Sequence, residues 1–340
     1  MSKKVILLAN LGSPNSPKVK DVKPYLDEFL MDEKVIDVPY WLRYLLVKGI
    51  IVPFRSPKSA KAYQSIWTEE GSPLIVITKA LSELLAKQSG LPTYYCMRYA
   101  NPTPQSILQK IADENPHADE VILVPMYPHY AMSSYETAME HVNKAYDKGN
   151  FSFSLKTIPP YYNHPKYIES LTESFRAYDL TNYDHILFSY HGIPERHLAK
   201  TQPKITKKHC LNCQNCCETP HEAHQYCYRH QVIETTKQVT EKLGIDSNKI
   251  SWSFQSRLGQ DKWLKPYTAQ QFEEFPKKGI KKLLVVCPAF VSDCLETLEE
   301  IQEEGKEEFL HAGGEVFDVV PCLNTNPLWV ETILYFVKNV

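Results

Sequence analysis

No strand-like run in this chain opens into G-x-G-x-x-G, none into G-x-x-x-x-G-K-[ST], and no G-x-S-x-G occurs anywhere. Turns of those kinds cradle a dinucleotide, hold a nucleoside triphosphate or present a serine nucleophile, so three large classes of α/β enzyme find no support. Also missing is any stretch approaching the ~20 apolar residues that cross a bilayer. The opening MSKKVILLANLGSP is apolar only from Val5 to Leu11 and ends in a Gly-Ser-Pro turn without a small-residue cleavage site. It reads as a first buried strand and not as an export signal. Charge of one sign is lacking too: 38 Lys and Arg against 40 Asp and Glu leave a formal −2. Without a field to attract phosphate backbones, nucleic acid is not an expected partner.

What is present is ordinary globular composition, 43% hydrophobic and 23% charged, in a chain of 340 residues, longer than one core usually grows. Two domains are expected. Nine cysteines, an odd number with no export signal, point to a reducing compartment, the cytoplasm by default, and to thiols that pack or bind metal.

Short runs rich in Val, Ile and Leu stand at 5–10, 93–99, 120–125, 152–158, 185–190, 249–254, 282–287 and 315–320. Amphipathic stretches at 74–88, 103–114, 135–147, 165–178, 234–243, 294–302 and 327–337 separate most of them. Alternating strand and helix predicts parallel sheets, and strands without inside-out alternation predict cover on both faces: an α/β, doubly wound, Rossmann-like arrangement. VILLANLGSP at 5–14 overlays HILFSYHGIP at 185–194, which suggests two similar halves meeting at a cleft. The Pro- and Tyr-rich IPPYYNHP sets the boundary, giving domains 1–160 and 161–326, with the last helix, 327–340, returning to the first.

The segment DHILFSYHGIPER runs a strand into His191, with Gly192 and Pro194 behind it to turn the chain. Open α/β sheets place their chemistry at such strand ends, and a neutral imidazole can accept a proton or ligate a transition metal. KKLLVVCPAFVSDCLETLEE repeats the layout: a strand, a Pro-containing loop, then a helix on which Asp293, Glu296, Glu300 and Glu303 fall at i, i+3, i+7 and i+10. Such a row is either a solvated acidic face, with Ser292 or Asp293 as a cap, or a path for protons or cations. Glu296 is nearest the strand end.

Two segments break the rhythm. Residues 39–54, PYWLRYLLVKGIIVPF, are too apolar for an ordinary surface helix and too short to span a membrane, so they form a core helix or an exposed lip for an apolar ligand or a bilayer surface. Residues 203–230 read as an inserted loop with Cys210, Cys213, Cys216, Cys217 and Cys227 in the spacing C-x2-C-x2-C-C-x9-C. Closely spaced thiolates can grip one metal centre; a [2Fe–2S] cluster and zinc stay open, since His209, His221 and His224 can complete a zinc site. Cys96, Cys287, Cys294 and Cys322 read as packed thiols.

LLANLGSP, MRYANP, LVPMYPHY, FSYHGIPERH, FQSRLG and the run from CPAF to ETLEEI, in this order, closely resemble the ferrochelatases of Gram-negative bacteria, over nearly the whole chain except about 203–230. The resemblance implies two Rossmann-like domains with a porphyrin cleft between them, and insertion of ferrous iron into protoporphyrin IX with release of two protons. It implies His191 and Glu296 as catalytic residues that also receive the iron, and Glu300 on an acidic path. Leu11, Arg98, Tyr99 and Tyr127 are implied as porphyrin contacts, and 39–54 becomes a lip with peripheral membrane contact. The implied cluster ligands are Cys210, Cys213, Cys227 and Cys216, with Cys217 as alternate to Cys216. Many relatives carry histidine where this chain has Cys294, which puts any relay by that histidine in doubt here. A coproporphyrin or cobalt chelatase on the same fold, and a non-catalytic iron–sulfur or zinc module, are the competing expectations.

Overall fold

The computed structural model describes residues 3–211, 215–257, 259 and 261–340. The chain divides into two compact units: one comprises residues up to Met126 with Met132–Pro159 and Val330–Val340, the other Tyr127–Ala131 with Pro160–Trp329.

The first unit is built on strands β1 (Lys4–Asn10), β2 (Thr93–Met97), β3 (Glu120–Pro125) and β4 (Ser154–Thr157), all parallel, in the order β2-β1-β3-β4. The second repeats the plan with β5 (His185–His191), β6 (Ile250–Gln255), β7 (Lys282–Val286) and β8 (Val316–Val320), in the order β6-β5-β7-β8. Six consecutive residues of β1, Val5–Asn10, and six of β5, His185–Tyr190, are buried because helices cover both faces. These are the doubly wound parallel sheets the strand–helix alternation requires.

This order fixes where chemistry can occur. From β5 the chain moves out to β6 on one side and returns to β7 on the other, so the strand order reverses between β5 and β7. Crevices in open sheets form outside the carboxyl ends at such a point. His191 closes β5, and the loop after β7 leads into the acidic segment, so both flank the switch point of one sheet. Gly192 lets the strand end lie close to β6: a Cβ there would sit 2.7 Å from the Gln255 carbonyl oxygen. Gly12, past the end of β1, has φ +108 and its Cβ would meet the Tyr99 carbonyl oxygen at 2.0 Å, so only glycine fits.

Three expectations about helices are corrected. The acidic segment is not one α-helix over 294–302; a turn at Leu295–Thr297 leads into a π-helix, Leu298–Gly305, and then α-helix Lys306–His311. The residues from 203 are not all loop: Pro203–His209 is helical, Glu222–Gln225 forms a 3-10 turn, and a helix spans Tyr228–Leu243, six residues longer at its start than expected. The apolar 39–54 segment belongs to a longer helical run, Tyr40–Tyr44, Leu45–Ile51 and Val52–Ile66. Among the described residues no helix is long and apolar enough to cross a membrane.

Candidate active site

His191 is half-buried at the end of β5, and its Nδ1 lies 2.6 Å from the Gly192 carbonyl oxygen. A carbonyl only accepts, so Nδ1 carries the proton and donates, leaving the lone pair on Nε2. That lone pair can take a proton or bind a cation. The Phe290 ring stands 6.3 Å from the imidazole.

Gln255, in register opposite His191 on β6, connects the base to the acidic segment. Its Oε1 accepts from Ser189 Oγ at 2.7 Å, and its Nε2 donates to the Glu296 carbonyl oxygen at 2.7 Å and to Glu300 Oε2 at 3.3 Å. Ser256, at φ +64, donates its amide to Glu300 Oε1 at 2.7 Å and its hydroxyl to Oε2 at 2.5 Å. Burial pushes the Glu300 pKa up, opposed by the Ser256 donors and the His191 charge, with the Glu296 charge adding to the rise. The net shift is upward, so Glu300 holds a proton to higher pH than an ordinary carboxyl.

The linked stability effect has a definite sign. A carboxyl whose folded pKa is raised stabilises the fold below its unfolded pKa and loses that contribution as pH rises through the folded value. Glu300→Gln, which cannot ionise, is therefore expected to match the wild type in thermal unfolding at pH 4 and to exceed it at pH 8. A Tm difference that stays constant with pH contradicts this.

Glu296 lies in the first turn of the segment, two residues after the buried Cys294. Burial, then the Glu296 carboxylate, hold the Cys294 thiol well above its ordinary pKa, so it stays protonated. Its burial is that of the packed thiol the sequence suggested. Of the expected row, Asp293 and Glu303 drop out. Asp293 precedes the helix and is tied to Asn324, whose Nδ2 donates to it at 2.6 Å, and to Thr297 Oγ1 at 3.0 Å. In π-helix Leu298–Gly305 the i→i+5 bonding widens the turn. Further along it Glu303 and Glu304 are both exposed, while Ile301 and Gly305 face inward. Sequence reasoning gave no role to Gln255 and Ser256; a polar pair closing the strand-like run 249–254 was the available signal.

A family description entitled Ferrochelatase matches residues 3–340 of this sequence. The chain belongs to the ferrochelatase family. Membership makes it a lyase-type metal chelatase, with ferrous iron as substrate. Similar relatives include the ferrochelatases of Opitutus terrae, 46% identical over 342 residues (100% of this chain, 98% of that protein), and Pseudomonas putida, 45% identical with 98% of each covered. Among solved structures, SirB from Bacillus subtilis with Fe3+ superposes at TM-score 0.56 with 11% identity, over 99% of this chain and 95% of that one, a likeness of fold alone.

The ferrochelatase residues expected at the porphyrin lie as follows. Leu11 and Arg98 are half-buried, and Tyr127 is buried. Tyr99 is 0% exposed, and its hydroxyl donates to Asp32 Oδ2 at 2.8 Å. The Tyr99 hydroxyl thereby supports Asp32. Burial alone would raise the Asp32 pKa, but hydrogen bonds from Thr137 and the Lys34 amide, the Arg98 charge and the Tyr99 hydroxyl hold it below the usual value. Arg98 is fixed by that carboxylate and donates Nε to Thr137 Oγ1 at 2.8 Å.

Segment 39–54 exposes one apolar side and buries another, with Val47 and Val52 inside. Trp41 and Phe54 are 65% and 79% exposed, with Tyr40, Tyr44, Leu45 and Ile50 also exposed, while Arg43 turns inward and donates to the Ile36 and Val38 carbonyls at 3.1 and 3.2 Å.

In the Cys-rich segment, Cys213 lies outside the described residues. Cys210, Cys216, Cys217 and Cys227 are buried. The neighbouring Cys210 thiol, then burial, push the Cys227 thiol up to about 12. Among the described residues no group of three or more His, Cys, Asp and Glu side chains has the arrangement to hold a metal. The histidines brace the loop: His209 and His224 donate Nε2–H to the Cys216 carbonyl at 2.8 and 2.9 Å, and His230 donates Nδ1–H to the Cys217 carbonyl at 2.6 Å. His221 accepts the Ala223 amide at Nδ1 and stacks on His209.

Proposed function

We propose that this chain inserts Fe2+ into protoporphyrin IX, with His191 as the base that removes pyrrole protons. The observation that carries this reading is the His191 tautomer: Nδ1–H is committed to Gly192 O, so Nε2 presents its lone pair where the strand order reverses. Two pyrrole protons must leave as iron enters, and a flat ring cannot offer its nitrogens to base and metal together. A ring held saddled by contacts away from those nitrogens moves toward the transition state. Nε2 takes a proton from one face, and Glu296 and Glu300 carry it off or guide the cation. Proton abstraction and iron ligation by the same Nε2 exclude each other at any instant, so they are successive steps. Leu11, Arg98, Tyr99 and Tyr127 are proposed porphyrin contacts, the 39–54 lip a peripheral membrane contact, and the cytoplasm the compartment.

Anaerobic incubation with Fe2+ and either protoporphyrin IX or coproporphyrin III, followed by loss of free-porphyrin fluorescence, tests the substrate. Faster loss with protoporphyrin is expected; preference for coproporphyrin III overturns the assignment.

For the resident centre we propose a [2Fe–2S] cluster on Cys210, Cys213, Cys227 and one of Cys216 and Cys217. Support comes from the close spacing of the five cysteines and from the burial of the four described thiols. Such a centre supplies cross-linking and redox sensing, since chelation transfers no electrons. The isolated protein is expected to be brown, with visible absorption bleached by dithionite. A colourless protein with stoichiometric zinc contradicts the cluster.

A further inference from the structure

The peptide between His191 and Gly192 is gripped at both ends. Its N–H donates to the Gln255 carbonyl oxygen at 2.8 Å, the last rung of the β5–β6 ladder. In a trans peptide the C=O points opposite to the N–H, here away from β6. On that side the pairing of β5 with β7 stops at Phe188–Val286, so the His191 carbonyl has no strand to bond. A buried carbonyl needs a donor, and Tyr228 supplies it: its hydroxyl donates to the His191 oxygen at 2.9 Å. The tyrosine is buried, with its ring edge-on to His129 at 5.9 Å and tilted against Phe254 at 6.3 Å.

Tyr228 also directly follows Cys227, which precedes the first turn of helix Tyr228–Leu243 and whose carbonyl accepts the Gln231 amide at 3.1 Å. The Cys227 thiol is buried beside those of Cys210 and Cys217. His230, two residues further, holds the Cys217 carbonyl. The first turn of this helix is therefore tied on one side to the cysteine knot and on the other to the main chain of His191.

We infer that Tyr228 is a positioning residue for chelation, which holds the His191–Gly192 peptide, and through it the imidazole, in a place set by the cysteine knot. This rests on the reading of His191 as the base. Tyr228 itself transfers no proton and touches no substrate. Displacing the first helical turn, by changing what the knot holds, moves the phenol and with it the carbonyl at the end of β5.

The sequence contains a single His–Gly pair, so the full chain labelled with 13C at histidine carbonyls and 15N at glycine amides gives one carbonyl–amide cross-peak, from residues 191 and 192. Tyr228→Phe, which keeps the ring and removes the donor, is expected to shift that peak and to lower kcat about tenfold, as loss of one hydrogen bond allows. KM for porphyrin stays within about twofold, because no substrate contact is lost. Cys227→Ser is expected to shift the same peak, and its effect on kcat to shrink in the Tyr228→Phe background. An unmoved peak with wild-type kcat in Tyr228→Phe overturns the inference, as does a raised KM with unchanged kcat. A peak insensitive to Cys227→Ser overturns the link to the knot. Should Tyr228→Phe fail to fold, 3-fluorotyrosine incorporation tests the same bond without loss of packing: a stronger donor shifts the peak, and an unchanged peak counts against the inference. The peak is read without substrate, so an unshifted peak indicts the Tyr228 role, whereas a wild type that shifts as expected but chelates nothing indicts the functional reading alone.

Discussion

His191→Ala is expected to lower kcat for iron insertion by about 10²–10⁴-fold, the usual range for a positioned acid–base group. Alanine removes Nε2 together with the Nδ1–H bond to Gly192, but leaves the main chain at the end of β5 clamped by Gln255 and Tyr228. The fold should lose only about 1 kcal/mol, that of one hydrogen bond at a half-buried position. Loss of rate with an unfolding midpoint close to wild type is therefore the expected pair of results, and partial recovery by added imidazole would identify the missing group as the base. Wild-type turnover in this variant contradicts the mechanism.

The second large effect is expected at Glu296. Glu296→Gln keeps the shape and the main-chain bond from Gln255, and removes only the charge. A side chain that hands protons onward or receives a cation cannot work as an amide, so kcat is expected to fall about 10²-fold. An independent signature accompanies the loss. The Glu296 charge contributes to the raised pKa of Glu300, so the amide should lower the Glu300 titration, followed by infrared absorption of its carboxyl. An unchanged rate together with an unchanged Glu300 titration would remove Glu296 from the site.

How far the sequence discloses this protein varies with the range of the forces involved. Each of the eight strand-like runs became a strand, because a strand buried on both faces must be apolar throughout and that signal is local. His191 was legible for the same reason: an imidazole directly behind five apolar or small residues and before a Gly-x-Pro turn has few places to be except a strand end. The acidic row was misjudged because the α-helical period was assumed. The buried positions of the π-helix are Ile301 and Gly305, four apart, and a Cβ at Gly305 would stand 2.6 Å from the Phe272 ring, so tertiary packing sets the wider turn.

Tyr99 has a partner that no nearby residue announces. A tyrosine beside an arginine just past a strand end suggests an exposed site, yet its hydroxyl serves Asp32, 67 residues earlier, a contact no local pattern encodes. Gln255 escaped notice because its importance lies in register across β5 and β6, which is fixed only when the sheet forms. Along 39–54 apolar density left core helix and lip both open, with the core favoured; the segment has a buried side, Arg43, Val47 and Val52, and an exposed one carrying Trp41 and Phe54, a split that a mean over the run does not show.

Haem formation by the purified chain is the most direct test: anaerobic protoporphyrin IX and Fe2+, with the product read as its reduced pyridine complex, for the wild type and His191→Ala side by side. Haem from the wild type and almost none from the variant is the predicted result. Equal haem from both would show that no nitrogen base at position 191 is needed, and porphyrin left metal-free by the wild type would contradict the assigned reaction.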